Sequence, residues 1–344
     1  MTDAGRSLAP VTVRDARPSD ARAISRVARA SWTDTYRGIL EPAFIEEFLA
    51  ANYAPEQLAT AAERASQRDD THFLVAVRDG EVVAYAHYGV GPRGPELFRI
   101  YADPAHYGTG AGSALLDEIE RRIDADAYVL DVHARNQRGR AFYDRRGFVI
   151  VGQGSFLDGD LTLRRSLRPR RPALPARTER LTIRELTDAD ATALHRIYGD
   201  AEAMRHVGRT GQSTPDVVST ARVIGFARRH AEHHGFSLWA IDETDGEQVV
   251  GVAGLLWVEG HGPEVEAAYL VRRDRWGRGY ATEALRETLR IGHDQLGLPR
   301  IVALAYPENH ASQRVMEKAG MRAEGSVHAY ERELTRHVSE RPTG

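Results

Sequence analysis

Apolar and polar residues alternate over residues 11–14 and again over 181–184. Each time a turn bearing Asp or Ser leads into a stretch with apolar residues at helical spacing. Residues 71–77 and 81–89 alternate on either side of Arg78-Asp79-Gly80, the pattern of a hairpin closed by a tight turn. Residues 96–102 read as the next strand, a glycine-rich loop follows, and 111–123 carry apolar residues at the period of a helix. Then come a short apolar strand at 128–132, a helix at 138–145 and an extended restart at Gly147-Phe148. The second half predicts the same order: strands at 236–241, 249–258 and 265–271, a helix at 281–293, a strand at 301–305 and a helix at 312–318.

This order is an internal repeat. Val11-Thr-Val-Arg-Asp-Ala-Arg-Pro-Ser-Asp20 aligns with Leu181-Thr-Ile-Arg-Glu-Leu-Thr-Asp-Ala-Asp190, and Tyr107-Gly-Thr-Gly-Ala-Gly-Ser-Ala-Leu115 with Trp276-Gly-Arg-Gly-Tyr-Ala-Thr-Glu-Ala-Leu285. Asn136, Tyr143, Gly147 and Phe148 align with Asn309, Met316, Gly320 and Met321 at identical internal spacing. The three offsets are 170, 169 and 173 residues, so two copies of one α/β domain account for a length of 344, above the size at which single cores stop growing. The expected organisation is a first domain at 11–167, a linker at 168–177 and a second domain at 178–338. The linker, with repeated prolines, positive charge and no apolar period, reads as semi-extended.

Composition narrows the chemistry. The absence of Cys excludes disulfides, thiolate metal sites, iron–sulfur clusters and a cysteine nucleophile or acetyl relay. Lys318 is the only lysine, which removes a Walker-type phosphate loop. With 46 Lys+Arg against 49 Asp+Glu, net charge gives no reason to expect nucleic acid as a partner. Residues 1–10 are polar and no run of about 18 apolar residues occurs, so neither a signal peptide nor a membrane span is expected, and the location is expected to be cytoplasmic. His230, His233 and His234 share a helical face before Gly235, but with no fourth ligand and no His-Glu-x-x-His pattern no metal site is expected.

Gly108, Gly110 and Gly112 stand between a strand and a helix. Without Cβ atoms such a loop turns successive N–H groups toward one anion, and the helix N-terminus adds partial positive charge, which suits a diphosphate. The dinucleotide pattern Gly-x-Gly-x-x-Gly is missed, because its third glycine falls on Ser113 or Leu115. The second loop, Gly277-Arg278-Gly279-Tyr280-Ala281, misses it too.

On these two loops each half resembles a GNAT N-acetyltransferase domain, whose loop reads Gln/Arg-x-x-Gly-x-Gly/Ala. Tyr107-Gly108-Thr109-Gly110-Ala111-Gly112 and Trp276-Gly277-Arg278-Gly279-Tyr280-Ala281 match it, with an aromatic ring in place of the first Gln/Arg. The second half is similar to the branch acetylating ribosomal-protein amino termini, through Trp-Gly-x-Gly-Tyr-Ala-Thr-Glu-Ala and Asn309-x-x-Ser312. The resemblance implies two tandem domains, each a mixed, mostly antiparallel sheet flanked by helices. It also implies acetyl-CoA as cosubstrate, lying in a wedge beside Ile100, Tyr101 and Ala102 or beside Tyr269, Leu270 and Val271, with Asn136 or Asn309 bonding its pantetheine arm.

Direct transfer to an amine needs a base for the ammonium, whose pKa is about 10.4, and gains from an acid for the departing thiolate. The resemblance makes Glu96 the base and Tyr143 the acid in the first half. In the second, Met316 replaces the tyrosine; Glu264 and Glu266 flank the aligned carboxylate position, with Glu266 the catalytic candidate and Ser312 or Tyr330 as further groups. Trp32 and Tyr36 fall either on the acceptor wall or in the core. The expected activity is acetyl transfer to a primary amine of a small molecule. A chain whose first half holds acetyl-CoA structurally while the second catalyses, and a non-catalytic acyl-CoA-binding module, are the alternatives. Acceptor identity and oligomeric state stay open, beyond a pseudo-dimer within one chain.

Overall fold

Alternation in the first half becomes seven strands: β1 (Thr12–Asp15), β2 (Thr71–Arg78), β3 (Glu81–Gly91), β4 (Gly94–Ala102), β5 (Ala127–His133), β6 (Phe148–Gln153) and β7 (Asp160–Ser166). They form one sheet in the order β1-β2-β3-β4-β5-β7-β6, with β4 parallel to β5 and the pairs β1–β2, β2–β3, β3–β4 and β5–β7 antiparallel. The computed structural model describes residues 9–208 and 210–341. Its contacts divide the chain into two compact units, residues up to 145 with 151–168, and 146–150 with 169 onward.

The first unit carries α1 (Ala21–Tyr36), α2 (Pro42–Asn52), α3 (Pro55–Ser66), α4 (Ala111–Arg122) and α5 (Gln137–Arg145). The sequence pattern does not single out α2 and α3. Both open with proline at the first helical position, where the missing N–H has no intrahelical partner to lose. In α1, Ile24, Val27 and Ala28 are wholly buried against β3 and β4, and in α4 Leu115, Leu116 and Ile119 are wholly buried against β2 and β3. Each such large side chain contributes roughly 1.5–3 kcal/mol on burial, so these two stripes fix both helices to the sheet.

The second unit repeats the plan with β8 (Ala176–Arg177), β9 (Leu181–Glu185), β10 (Leu238–Glu243), β11 (Gly251–Trp257), β12 (Val265–Val271), β13 (Arg300–Ala305), β14 (Arg322–Ala329) and β15 (Arg332–Glu340). Their order is β14-β15-β13-β12-β11-β10-β9-β8, the same as in the first sheet with β8 added at the edge. That extra strand is built from the last two residues of the segment read as a linker. The helices are α6 (Ala191–Tyr198), α7 (Ala201–Met204), α8 (Val217–His234), α9 (Tyr280–Arg290) and α10 (His310–Lys318).

At two boundaries the departure from the periodicity has a visible local cause. The helix expected to reach residue 293 leaves α geometry after Arg290 for a π-helical turn, Ile291–Gln295. There Gly292 lies so close to Ile301 that a Cβ would stand 2.4 Å from its side chain, and His293 Nδ1 bonds Leu298 O at 2.8 Å. The strand expected from residue 249 begins at Gly251, since Val249 takes a left-handed φ of 52° while its amide bonds Asp242 Oδ1.

Among the described residues no helix is long and apolar enough to cross a membrane. His230 is buried with its Nδ1 2.7 Å from Phe236 O, a local bond that accounts for one of the three histidines at the end of α8.

Candidate active site

In each unit the parallel pair marks the place where the sheet opens. β4 and β5 meet in register at Glu96 and Val129, and β12 and β13 at Glu266 and Val302. Beyond the first of these positions the strands border a groove of about 400 Å³. Ile100, Tyr101 and Ala102 line one side, Leu130, Asp131 and Val132 the other, and Tyr107, Gly108, Gly110, Ala111 and Gly112 its far end. Asn136, Tyr143 and Tyr36 also reach it. The end of α1, β4, the glycine loop, β5 and α5 thus converge on one concave surface.

The glycine loop is shaped by φ values of 72° at Gly108 and 91° at Gly110, a left-handed conformation in which L side chains are strained. A Cβ at either would meet nothing within 4 Å, so backbone geometry and not crowding calls for glycine. Gly110 caps α4, leaving the amides of Ala111, Gly112 and Ser113 without intrahelical acceptors. Gly277 and Gly279 repeat the conformation at 76° and 82° ahead of α9. The aromatic residue heading the first loop is also a platform: the Arg138 guanidinium lies 4.2 Å over the Tyr107 ring and bonds Asp34 at 2.6 Å.

Both asparagines act as helix caps. Asn136 Oδ1 accepts from Gly139 N at 2.9 Å, and Asn309 Oδ1 from Ser312 N at 3.1 Å, so each side-chain amide nitrogen is left for another partner. Burial raises the Tyr143 hydroxyl far above its ordinary pKa, which keeps it protonated and a donor. In the second unit Met316 is buried where Tyr143 stands, and Tyr269 OH lies 2.7 Å from Ser312 Oγ. Trp32 is 1% exposed and packed among Tyr36, Phe48, Tyr53 and Tyr101, which makes it a core residue, while Tyr36 at its side reaches the groove.

The two carboxylates occupy equivalent places. In the β3–β4 ladder Gly89 pairs with Glu96 and Ala84 with Ala102, with Phe98 as an extra residue in a bulge. The β11–β12 ladder pairs Leu256 with Glu266 and Gly251 with Val271 without a shift. The bulge accounts for the single-residue ambiguity left by counting from the glycine loops, and the register selects Glu266 over Glu264.

Their surroundings differ. Glu96 is buried and clamped by Arg93, whose amide bonds Oε1 at 2.9 Å and whose guanidinium bonds Oε1 at 3.1 Å and Oε2 at 3.2 Å. The same guanidinium bonds Asp131 at 2.8 Å and Thr162 at 3.1 Å. Gly91 makes room for the carboxylate, since a Cβ there would stand 2.6 Å from Glu96 Cδ. Glu96 is absent from the residues lining the groove.

Among the described residues no cation is paired with Glu266, whose carboxylate accepts a hydrogen bond from Tyr330 OH at 2.7 Å. The residue keeps a partial opening to solvent, yet enclosure of its carboxyl raises the pKa to about 7, against the opposing pull of the tyrosine. Tyr330 sits at φ 54° and Glu331 at 60° in the turn between β14 and β15, a left-handed pair usually left to Asn-Gly. Glu259 holds that turn: its carboxylate accepts from Tyr330 N at 2.7 Å, and its amide donates to Tyr330 OH at 3.1 Å. Arg93, Asp131 and the Glu259–Tyr330 clamp are site features the sequence reading missed or left unranked; charged residues near strand ends are ordinarily solvated, so spacing gave no sign of them.

Residues 33–148 match the acetyltransferase (GNAT) family, and residues 180–322 an acetyltransferase (GNAT) domain. The chain is similar to the uncharacterized N-acetyltransferase p20 of Bacillus licheniformis, 30% identical over 159 residues that cover 45% of this chain and 86% of that protein. It is also similar to a spermidine N(1)-acetyltransferase of Thermoplasma acidophilum, 29% identical over 143 residues, covering 41% and 89%. Among solved structures, a PaiA N-acetyltransferase from T. acidophilum in complex with coenzyme A shares 26% identity at a TM-score of 0.42, covering 46% of this chain and 99% of that one.

Proposed function

Because this chain belongs to the GNAT acetyltransferase family, we propose that it transfers the acetyl group of acetyl-CoA directly to a primary amine of a small molecule. In this reading the wedge of each unit receives the cosubstrate and the second unit performs the transfer. The difference between the two equivalent carboxylates carries the assignment. A general base works best with a pKa near the operating pH, which describes Glu266, whereas Glu96 is already engaged by a guanidinium.

The residues fit acetyl-CoA: left-handed glycines head a helix whose first amides are open, and a groove of about 400 Å³ in the first unit runs from that loop to Tyr143. Acetyl-CoA supplies an acyl group on a good leaving thiol. Glu266 takes the proton from the acceptor ammonium, with Tyr330 holding the carboxylate in place. The freed amine nitrogen forms the new bond to the acetyl carbon while the carbon–sulfur bond breaks, and the nitrogen releases its second proton to solvent to leave the neutral amide. The departing thiolate, with a pKa of about 8.5 for an ordinary thiol, takes its proton from solvent, since Met316 has none to give.

A second reading places the transfer in the first unit, with Tyr143 as acid; the position of Tyr143 on the groove favours it. Thiol release from acetyl-CoA, together with mass detection of the acetylated product, tests the function over a panel of polyamines, amino sugars and peptide amino termini. Polyamines head the panel because one relative is a spermidine N(1)-acetyltransferase. Product from at least one small-molecule amine is expected. Thiol release confined to peptide amino termini would contradict the small-molecule assignment, and no acetylated product from any amine would contradict the activity.

A further inference from the structure

Behind the first glycine loop lies a charge with no counter-charge among the described residues. Arg78 ends β2 and is 5% exposed. Its Nε bonds Ala9 O at 3.0 Å and one terminal nitrogen bonds Thr109 O at 2.8 Å; the other terminal nitrogen is buried without a partner. Among the described residues no carboxylate pairs with it. A guanidinium stays protonated in a protein, and a buried cation without an anion is costly.

The bond to Thr109 O bears on the loop's geometry. The carbonyl of Thr109 and the amide of Gly110 belong to one planar peptide and point in opposite directions. With the carbonyl drawn back to Arg78, the Gly110 N–H faces the other way, toward the ligand side of the loop.

The second unit makes the same bond with different electrostatics. Arg180, just before β9, donates to Arg278 O at 2.8 Å, the same loop position as Thr109. Its Nε, however, bonds the Glu283 carboxylate at 2.8 Å. With Val11 aligned to Leu181, the position of Arg78 is taken by Glu243, which pairs with Leu181 and accepts from Arg275 at 2.9 Å and Tyr280 OH at 3.0 Å. There the cations are matched by carboxylates.

We propose that Arg78 is a positioning residue for the diphosphate of CoA in the first unit: it turns the Thr109–Gly110 peptide so that the amide serves the anion, and its buried charge is completed by that anion. The first site therefore binds CoA more tightly than the second. The inference rests on reading the groove as an acyl-CoA site, and it concerns binding, so it holds whichever unit performs the transfer.

Calorimetry on the full chain with CoA and with pantetheine, which lacks the diphosphate, tests it. The unaltered chain is expected to show two CoA sites of unequal affinity. Arg78→Gln should weaken the tighter one by about tenfold or more, the range of a hydrogen bond to a charged group, and leave pantetheine binding and melting temperature in place. Arg78→Lys, which keeps the charge without the fork, should lose less. Unchanged CoA affinity in Arg78→Gln, or equal losses for CoA and pantetheine, overturns the proposal. If Arg78→Gln does not fold, Arg78→Lys is read by the same comparison: a loss selective for CoA supports the role, and an equal loss or none overturns it. Failure of the unaltered chain to bind CoA would instead overturn the reading of the groove.

Discussion

Glu96 and Glu266 stand at the same register of the same parallel strand pair, yet one is surrounded by a guanidinium and the other by a hydroxyl. The glycine loops invert the relation: the first has behind it a cation with no carboxylate partner among the described residues, whereas the guanidinium behind the second is matched by a carboxylate. Duplication preserved the scaffold in both units, down to left-handed glycines and asparagine caps. On the proposed reading, the charges placed on that scaffold diverged in opposite senses, toward holding an anionic cosubstrate in the first unit and toward moving a proton in the second. A fold shared by two units therefore does not give them one task.

The strongest way to break this comparison is to disable one loop at a time. Gly279→Glu forces a side chain onto a φ of 82° and sets a carboxylate where a diphosphate belongs; turnover should fall below detection while one CoA per chain remains in native mass spectra. Gly110→Glu should do the converse, removing the tighter CoA site and leaving turnover largely intact. Turnover lost only in Gly110→Glu would transfer the chemistry to the first unit.

A smaller effect concerns pH. Glu266 must be ionised to accept a proton, so kcat/KM should rise through a midpoint near pH 7 and level off above it, provided the amine's own titration is separated by using acceptors of different pKa. A profile that follows the amine alone would remove Glu266 from the rate equation.

The same ionisation has a stability signature of opposite sign. Because the folded pKa is raised from 4.5 to about 7, the unfolded chain loses this proton first, and stability falls as pH rises from about 4.5 to about 7. Glu266→Gln should therefore melt like the unaltered chain at pH 4 and a few degrees higher at pH 8. Equal melting temperatures at pH 8 would mean that the carboxylate is not held against ionisation.

The smallest effect belongs to Tyr330→Phe. Its hydroxyl opposes the rise in the Glu266 pKa, so its loss should move the activity midpoint upward. A downward shift would show that the hydroxyl does not favour the carboxylate form.

Much of the fold was legible in the sequence because it follows from periodicity and from glycine. The repeat predicted two sheets of one plan, and the glycine loops were placed between a strand and a helix, ahead of α4 and α9. The candidate site was legible only as positions. That Ile100, Gly110, Asn136 and Tyr143 share a groove came from resemblance, whereas Arg93 on Glu96 and Arg78 behind Thr109 are contacts made by charged residues at strand ends. Nothing in a polar residue's spacing says whether it turns to solvent or inward. The bulge at Phe98 had a similar effect: one inserted residue kept Glu264 and Glu266 equally placed until strand register was known. Trp32 shows the reverse limit, since an aromatic residue at helical spacing reads alike in a core and on a pocket wall.

Dependence of the transfer on the carboxylate of the second unit is read from the acetyl-transfer rates of Glu96→Gln and Glu266→Gln at saturating acetyl-CoA and pH 8. Removing a general base typically costs about 10²–10⁴-fold. A loss of that size is expected in Glu266→Gln, with a rate near that of the unaltered chain in Glu96→Gln; the opposite pattern, or equal losses in both, overturns the assignment to the second unit.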